Sequence, residues 1–155
     1  MALSNEVVVR VGASGFRAEV STQGHDFLAD EPMQAGGGDG GPTPYALLVA
    51  ALGSCAAMTL RTHADRKGWP LEEVTVRLRH GRTHGQDCDD CESHKVGIDR
   101  IERVIELSGP LTDEQRSALL RVADRCPVGQ TLTHGVRVLP GTVAQRTRGD
   151  RRTPH

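Results

Sequence analysis

Apolar and polar residues alternate with a period of two near the start of the chain and take helical spacing further on, so strands come first. In GFRAEV, Phe16, Ala18 and Val20 alternate with Arg17 and Glu19, the pattern of a half-buried strand. With EVVVRV before it and the turn Gly12-Ala13-Ser14-Gly15 between them, this predicts a hairpin. A third short strand is expected over His25 to Ala29. The run QAGGGDGGPTP then carries five glycines and two prolines in eleven residues, which excludes regular structure. A flexible loop over the entrance of the next helix is expected there.

That helix is predicted from about Tyr45 to Lys67, with Pro44 in its first turn, its first charge at Arg61 and Gly68 as its stop. Apolar nearly all round, it should be a buried central helix. Past it, Val74, Val76 and Leu78 alternate with Thr75, Arg77 and Arg79, a strand that runs on to His84. The stretch Ile98 to Leu107 fits two periods: Ile98, Ile101 and Ile105 suit a helix, while Ile101, Ile105 and Leu107 line one strand face. The density of β-branched residues favours the strand. Thr112 with Gln115 forms a capping box, and Leu119, Val122, Ala123 and Cys126 follow at helical spacing. This predicts a helix ending at Cys126, where Pro127 bends the chain. A last strand is expected over Val136 to Leu139.

Composition adds bounds to this α+β pattern. With 155 residues, 37% hydrophobic and 25% charged, the chain suits one soluble domain over residues 1–141. Residues 142–155 carry Arg146, Arg148, Arg151 and Arg152 with little apolar content, which predicts a disordered basic tail. Aromatics make up only 3%, so the core must gain area by number of residues or by sharing it with a second subunit. Nineteen basic against 20 acidic side chains leave no global electrostatic reason for a nucleic-acid or membrane partner. The N-terminus lacks the pattern of a signal peptide, and no apolar run reaches the roughly 18 residues of a membrane span. A cytoplasmic protein is expected, in which four cysteines serve metal or redox chemistry sooner than a disulfide framework.

Two thiols stand out. Cys55 lies in AALGSCAAMTL, the longest uncharged stretch, where burial alone would raise its pKa and leave it inert unless a cation or dipole stands near. Cys126 precedes Pro127; if that proline opens a short helix over Val128 to Thr133, the thiol sits at a helix N-terminus, where the dipole favours thiolate. Together they suggest a peroxidase, in which one thiolate attacks an O–O bond, becomes a sulfenic acid and condenses with the other thiol. A second constellation is HGRTHGQDCDDCESH: His80 and His84 share a strand face, and Cys88 and Cys91 have the spacing that lets two thiolates hold one tetrahedral ion, with zinc the reasonable metal. The same segment, with Asp87, Asp89, Asp90 and Glu92, equally suits a solvated loop with or without a reversible disulfide. The glycine run lacks a following Lys-Ser or Lys-Thr, so it is no phosphate cradle, and His25, His63 and His134 have no triad context.

The order of strands, glycine-rich loop, uncharged helix GPTPYALLVAALGSCAAMTL, charged strands and a later helix ending in ADRCPV resembles the OsmC/Ohr family of osmotically inducible and organic hydroperoxide resistance proteins, over roughly Val7 to Leu139. The resemblance implies an OsmC-like α+β fold, an antiparallel sheet wrapped around a buried central helix in an intertwined homodimer, with sites at the subunit interface. It further implies that Cys55 attacks the hydroperoxide, that Cys126 resolves the sulfenic acid, and that a dithiol or lipoyl-type reductant recycles the pair with no cofactor required. Two positions depart from the family pattern. Tyr45 stands where the hydroperoxide reductases carry a glutamate, and Asp30 stands near the position of its arginine partner. The chain therefore resembles a divergent branch in which Arg10, Arg17 or Arg61 would have to stabilise the thiolate. The reading from another class is a non-catalytic thiol protein of the same fold, binding a metal through residues 80–94 or an apolar ligand at the dimer interface.

Overall fold

The computed structural model describes residues 6–83 and 98–143. Its first unit is an antiparallel sheet in the order β1 (Val7–Val11), β2 (Ala18–Thr22), β3 (His25–Ala29). Gln23 and Gly24, both with positive φ (49° and 79°), close β2 onto β3 in a two-residue turn whose twist matches the strands it joins. The register sets Val9 opposite Val20 and Val20 opposite Phe27, so the alternating apolar residues of all three strands share one face. Val20 and Ala29 on that face are buried, yet Val7, Val9 and Val11 remain more than half exposed within a single chain. Phe16, expected inside the second strand, lies before it and is 54% exposed.

The glycine-rich segment is fastened where open, flexible chain was expected. Asp30 is buried, and its carboxylate accepts backbone N–H bonds from Glu31 (2.8 Å), Gly38 (3.1 Å) and Gly40 (3.1 Å). Gly37 packs so closely that a Cβ would fall 1.9 Å from the Glu31 carbonyl oxygen, a space no other residue can use. Composition correctly excludes long helix or strand here, but one carboxylate organises the loop, apart from a single 3-10 turn at Met33–Ala35.

Thr43 caps the central helix α1 (Pro44–Lys67), its side chain accepting from the Ala46 amide, and Gly68 ends it at φ 62°. Leu52, Gly53, Ala56, Leu60 and Ala64 are buried, a single stripe at spacings of three and four residues. Burial all round, expected from composition, does not occur within one chain: Leu48 and Met58 are exposed on the other faces, and Tyr45 in the first turn is half exposed. By length and hydropathy alone α1 is the one described helix able to cross a bilayer. Here it packs against β4, α2 and α3, which makes it the core helix of the fold.

The second sheet is a long hairpin of β4 (Glu73–Thr83) and β5 (Ile98–Ser108). Strand geometry wins in β5: Ile101, Ile105 and Leu107 are partly covered while Glu102, Val104 and Glu106 face out. Val74, Val76, Leu78 and His80 pair with Leu107, Ile105, Arg103 and Ile101, giving one inward face against α1.

Helix α2 (Asp113–Ala123) begins with the expected capping box of Thr112 and Gln115. It stops at Ala123 with Asp124 as its cap, not at Cys126, because Cys126 takes an extended conformation (ψ 137°) ahead of Pro127 and caps the next helix instead. That helix, α3 (Pro127–His134), is the short helix anticipated after Pro127. The strand expected over Val136 to Leu139 does not form; the segment finds no strand to pair with among the described residues, and Val136, Val138 and Leu139 are 71%, 85% and 73% exposed. Two adjoining apolar clusters make the core, one around Leu60, Leu119 and Ala123, the other around Leu52, Ala56 and Cys126.

Candidate functional site

The second cluster is where the chemistry-bearing residues meet. Cys55 stands at the rim of the buried stripe of α1, one residue before Ala56, and packs against the cluster containing Cys126. Cys126 is fully buried, and both are free thiols. The Gly129 amide, in the first turn of α3, donates to Cys126 Sγ at 3.3 Å. Gly129 fits closely there, since a Cβ would fall 2.8 Å from that sulfur and force it to shift.

Four influences set the Cys126 thiol. Burial pushes its pKa up above the ordinary value, the Gly129 N–H pulls it down, the neighbouring Cys55 thiol raises it again by charge and hydrogen bonding, and the Arg103 guanidinium lowers it. The dipole argument from sequence therefore holds in direction, but desolvation is the larger effect and the balance lies upward. Cys55 is partly exposed and opens on a groove of about 1150 Å³, lined on its apolar side by Ala51, Met58, Val122, Pro127 and Val128. His63 and Arg66 line its polar edge, and Thr22 and Gln23 of the β2–β3 hairpin close one side.

Two of the three cations singled out from sequence are engaged elsewhere. Arg61 donates to the Leu71 carbonyl (2.6 Å), the Glu72 carbonyl (2.9 Å) and Asp65 (3.3 Å), so it ties the end of α1 to the following loop. Arg17 acts on Asp30, and Arg10 sits on β1 opposite Glu19. The cation that acts on Cys126 is Arg103, which sequence reasoning missed. A signal was there: Arg103 interrupts the inward series Ile101, Ile105, Leu107, where a charged side chain needs a buried partner.

Asp30 keeps its carboxylate on the glycine loop. The Gly40 amide is the largest influence holding its pKa below the usual value, against desolvation, with the Glu31 and Gly38 amides and Arg17 adding to it. Tyr45 stacks on His80 with ring centroids 4.3 Å apart and planes 14° from parallel. His80 Nε2 lies 2.9 Å from Asp99 Oδ1, so one ring nitrogen is engaged by a carboxylate. Among the described residues no group of three or more His, Cys, Asp and Glu side chains converges as a metal site. His84, Cys88 and Cys91 lie outside the described residues. His63 meets Trp69 edge-on at 5.4 Å, and His134 Nδ1 bonds the Gln130 carbonyl at 2.9 Å, both structural roles.

Comparison with known proteins agrees with this architecture. No curated protein matches in sequence. An OsmC-like protein from Mycoplasma pneumoniae superposes with a TM-score of 0.67 at 17% identity, over 86% of this chain and 89% of that one. An organic hydroperoxide resistance protein OsmC from Legionella pneumophila gives 0.61 at 19% identity, over 85% and 91%. The organic hydroperoxide resistance protein OhrB of Bacillus subtilis gives 0.58 at 18% identity, over 83% and 90%. At such identities these likenesses speak for the fold alone. Residues 36–139, which hold the glycine loop, both thiols and Arg103, match the OsmC-like protein family, and the chain belongs to that family.

Proposed function

We propose that this protein is a thiol-dependent peroxidase that reduces organic hydroperoxides through Cys55 and Cys126. The observation that carries the reading is the packing of a partly exposed thiol at the mouth of an apolar groove against a second, buried thiol. The Cys55 thiolate attacks the outer oxygen of the hydroperoxide, the O–O bond breaks, and the alkoxide takes a proton to leave as an alcohol. Cys55 is then a sulfenic acid. The Cys126 thiolate attacks that sulfur, hydroxide leaves and is protonated to water, and a disulfide joins the two residues. A dithiol or lipoyl-type reductant restores both thiols by exchange. No metal or organic cofactor enters these steps. Because burial holds the Cys126 thiol above its ordinary range, disulfide closure should accelerate as pH rises through neutrality.

A second copy of the chain supplies cover that one copy lacks. The exposed faces of α1 (Tyr45, Leu48, Met58) and of β1 (Val7, Val9, Val11) are apolar and suit a homodimer interface. We place the dimer in the cytoplasm, where small dithiols maintain reduced cysteines.

Steady-state consumption of cumene hydroperoxide with dihydrolipoamide tests the reading on wild type, Cys55→Ser and Cys126→Ser. Wild type is expected to turn over, Cys55→Ser to be inactive, and Cys126→Ser to stop after one equivalent with a sulfenic acid trappable by dimedone. Equal rates in wild type and Cys55→Ser would exclude the mechanism and favour a groove that binds apolar ligands without chemistry.

A further inference from the structure

We propose that Arg103 is a positioning residue for the second thiol: it clamps the corner that carries Cys126 and holds a guanidinium at the turn from which that residue's thiolate closes the disulfide. The inference rests on the two-thiol reading for what that thiolate then does. Its geometry stands without it.

The corner between α2 and α3 is held from three sides. Arg103 Nη1 donates to the Ala123 carbonyl at 3.2 Å, and the Cys126 amide donates to the same carbonyl at 3.4 Å, so the guanidinium and the cysteine backbone share one acceptor. Arg103 Nη2 donates to Asp124 Oδ1 at 2.5 Å. Gln130 closes the other side, its side chain on the Asp124 carbonyl (2.6 Å) and its amide on the Cys126 carbonyl (3.0 Å). An exposed surface pair would explain none of this, because Arg103 comes from the inward face of β5, opposite Leu78. Strand β4 brings Leu78, with His80 two residues along the same face and paired to Asp99 of β5; α1 brings the Cys55 thiol, α3 brings the Gly129 amide, and the end of α2 brings Asp124. Among the described residues Arg103 is the cation that acts on this thiol, and Asp124 is the anion paired with it.

In the closing step the Cys126 thiolate donates its electron pair to the sulfenic sulfur of Cys55. The S–S bond forms, the S–O bond breaks, hydroxide leaves and is protonated to water. Cys126 sulfur is oxidised, and the sulfenic sulfur is reduced by the same amount. The thiolate fraction of Cys126 limits this step below its pKa.

The test separates charge from mere bracing. In a Cys55→Ser, Cys88→Ser, Cys91→Ser background Cys126 is the sole thiol, and thiolate absorbance at 240 nm is followed against pH. Arg103→Gln should move the midpoint up, Arg103→Lys should hold it near the parent, and Asp124→Asn, which keeps the shape and frees the guanidinium, should move it down. Shifts in one direction for Arg103→Gln and Asp124→Asn, or none in either, overturn the proposal. If Arg103→Gln fails to fold, an unmoved midpoint in Asp124→Asn overturns it alone. With all four cysteines present, Arg103→Gln should slow disulfide closure after one equivalent of cumene hydroperoxide by about threefold or more at pH 7. Opposite midpoint shifts with no disulfide in any variant would sink the peroxidase reading and leave the hold of Arg103 on Cys126 standing.

Discussion

Replacing Gly129 by alanine probes the thiol site at the scale of one methyl group. The added Cβ would fall 2.8 Å from Cys126 Sγ and 3.5 Å from Leu52 Cδ1. Non-bonded carbon and sulfur want about 3.5–4 Å, so the sulfur must give way by most of an ångström. It cannot move freely, being fully buried and held by the Gly129 amide at 3.3 Å. Overpacking of this kind costs about 1–3 kcal/mol. Against it stands the gain from alanine in place of glycine in a helix, about 0.5–1 kcal/mol. The clash should win, leaving a net loss of about 1 kcal/mol. Urea denaturation at one fixed protein concentration measures it, since association with a second copy would make stability concentration-dependent. In a Cys126→Ala background the sulfur is absent and Gly129→Ala should be neutral or stabilising, so the double-mutant cycle should show a coupling of about 1 kcal/mol or more. A wild-type background stabilised by the full helix gain, or an equal penalty with and without the sulfur, would refute the packing described for this pair.

Leu60 is fully buried in the larger cluster, and Leu60→Ala should cost about 2–5 kcal/mol in the same denaturation assay. Asp30 has its folded pKa lowered, so its contribution is complete above its ordinary value of 3.8 and is lost as pH falls through the folded value. Asp30→Asn should therefore lower Tm at neutral pH, and its difference from wild type should shrink in strong acid; a constant difference across that range would contradict the loop-organising role.

Sequence by itself determined the local order of this protein. The hairpin around Gly12 to Gly15, the strand over His25 to Ala29, the capping box at Thr112, the proline start and glycine stop of α1, and the short helix after Pro127 are set by interactions within a few residues. Periodicity and capping report such interactions directly. The OsmC-like fold was legible through motif resemblance, and the structure packs Cys55 against the cluster that holds Cys126. What composition could not decide was who sits beside whom. Burial of α1 came out as one stripe because a single chain brings elements to only one side of it. Val136 to Leu139 alternates well enough for a strand, but a strand exists only where another offers its backbone groups, and none does among the described residues. Arg103 lies 23 positions before Cys126 and reaches it because β5 and the α2–α3 corner pack together, a long-range contact that no local period encodes. Tertiary structure decided the electrostatics of the thiols for the same reason: burial, the Gly129 amide and the guanidinium act through space, and only packing sets their distances.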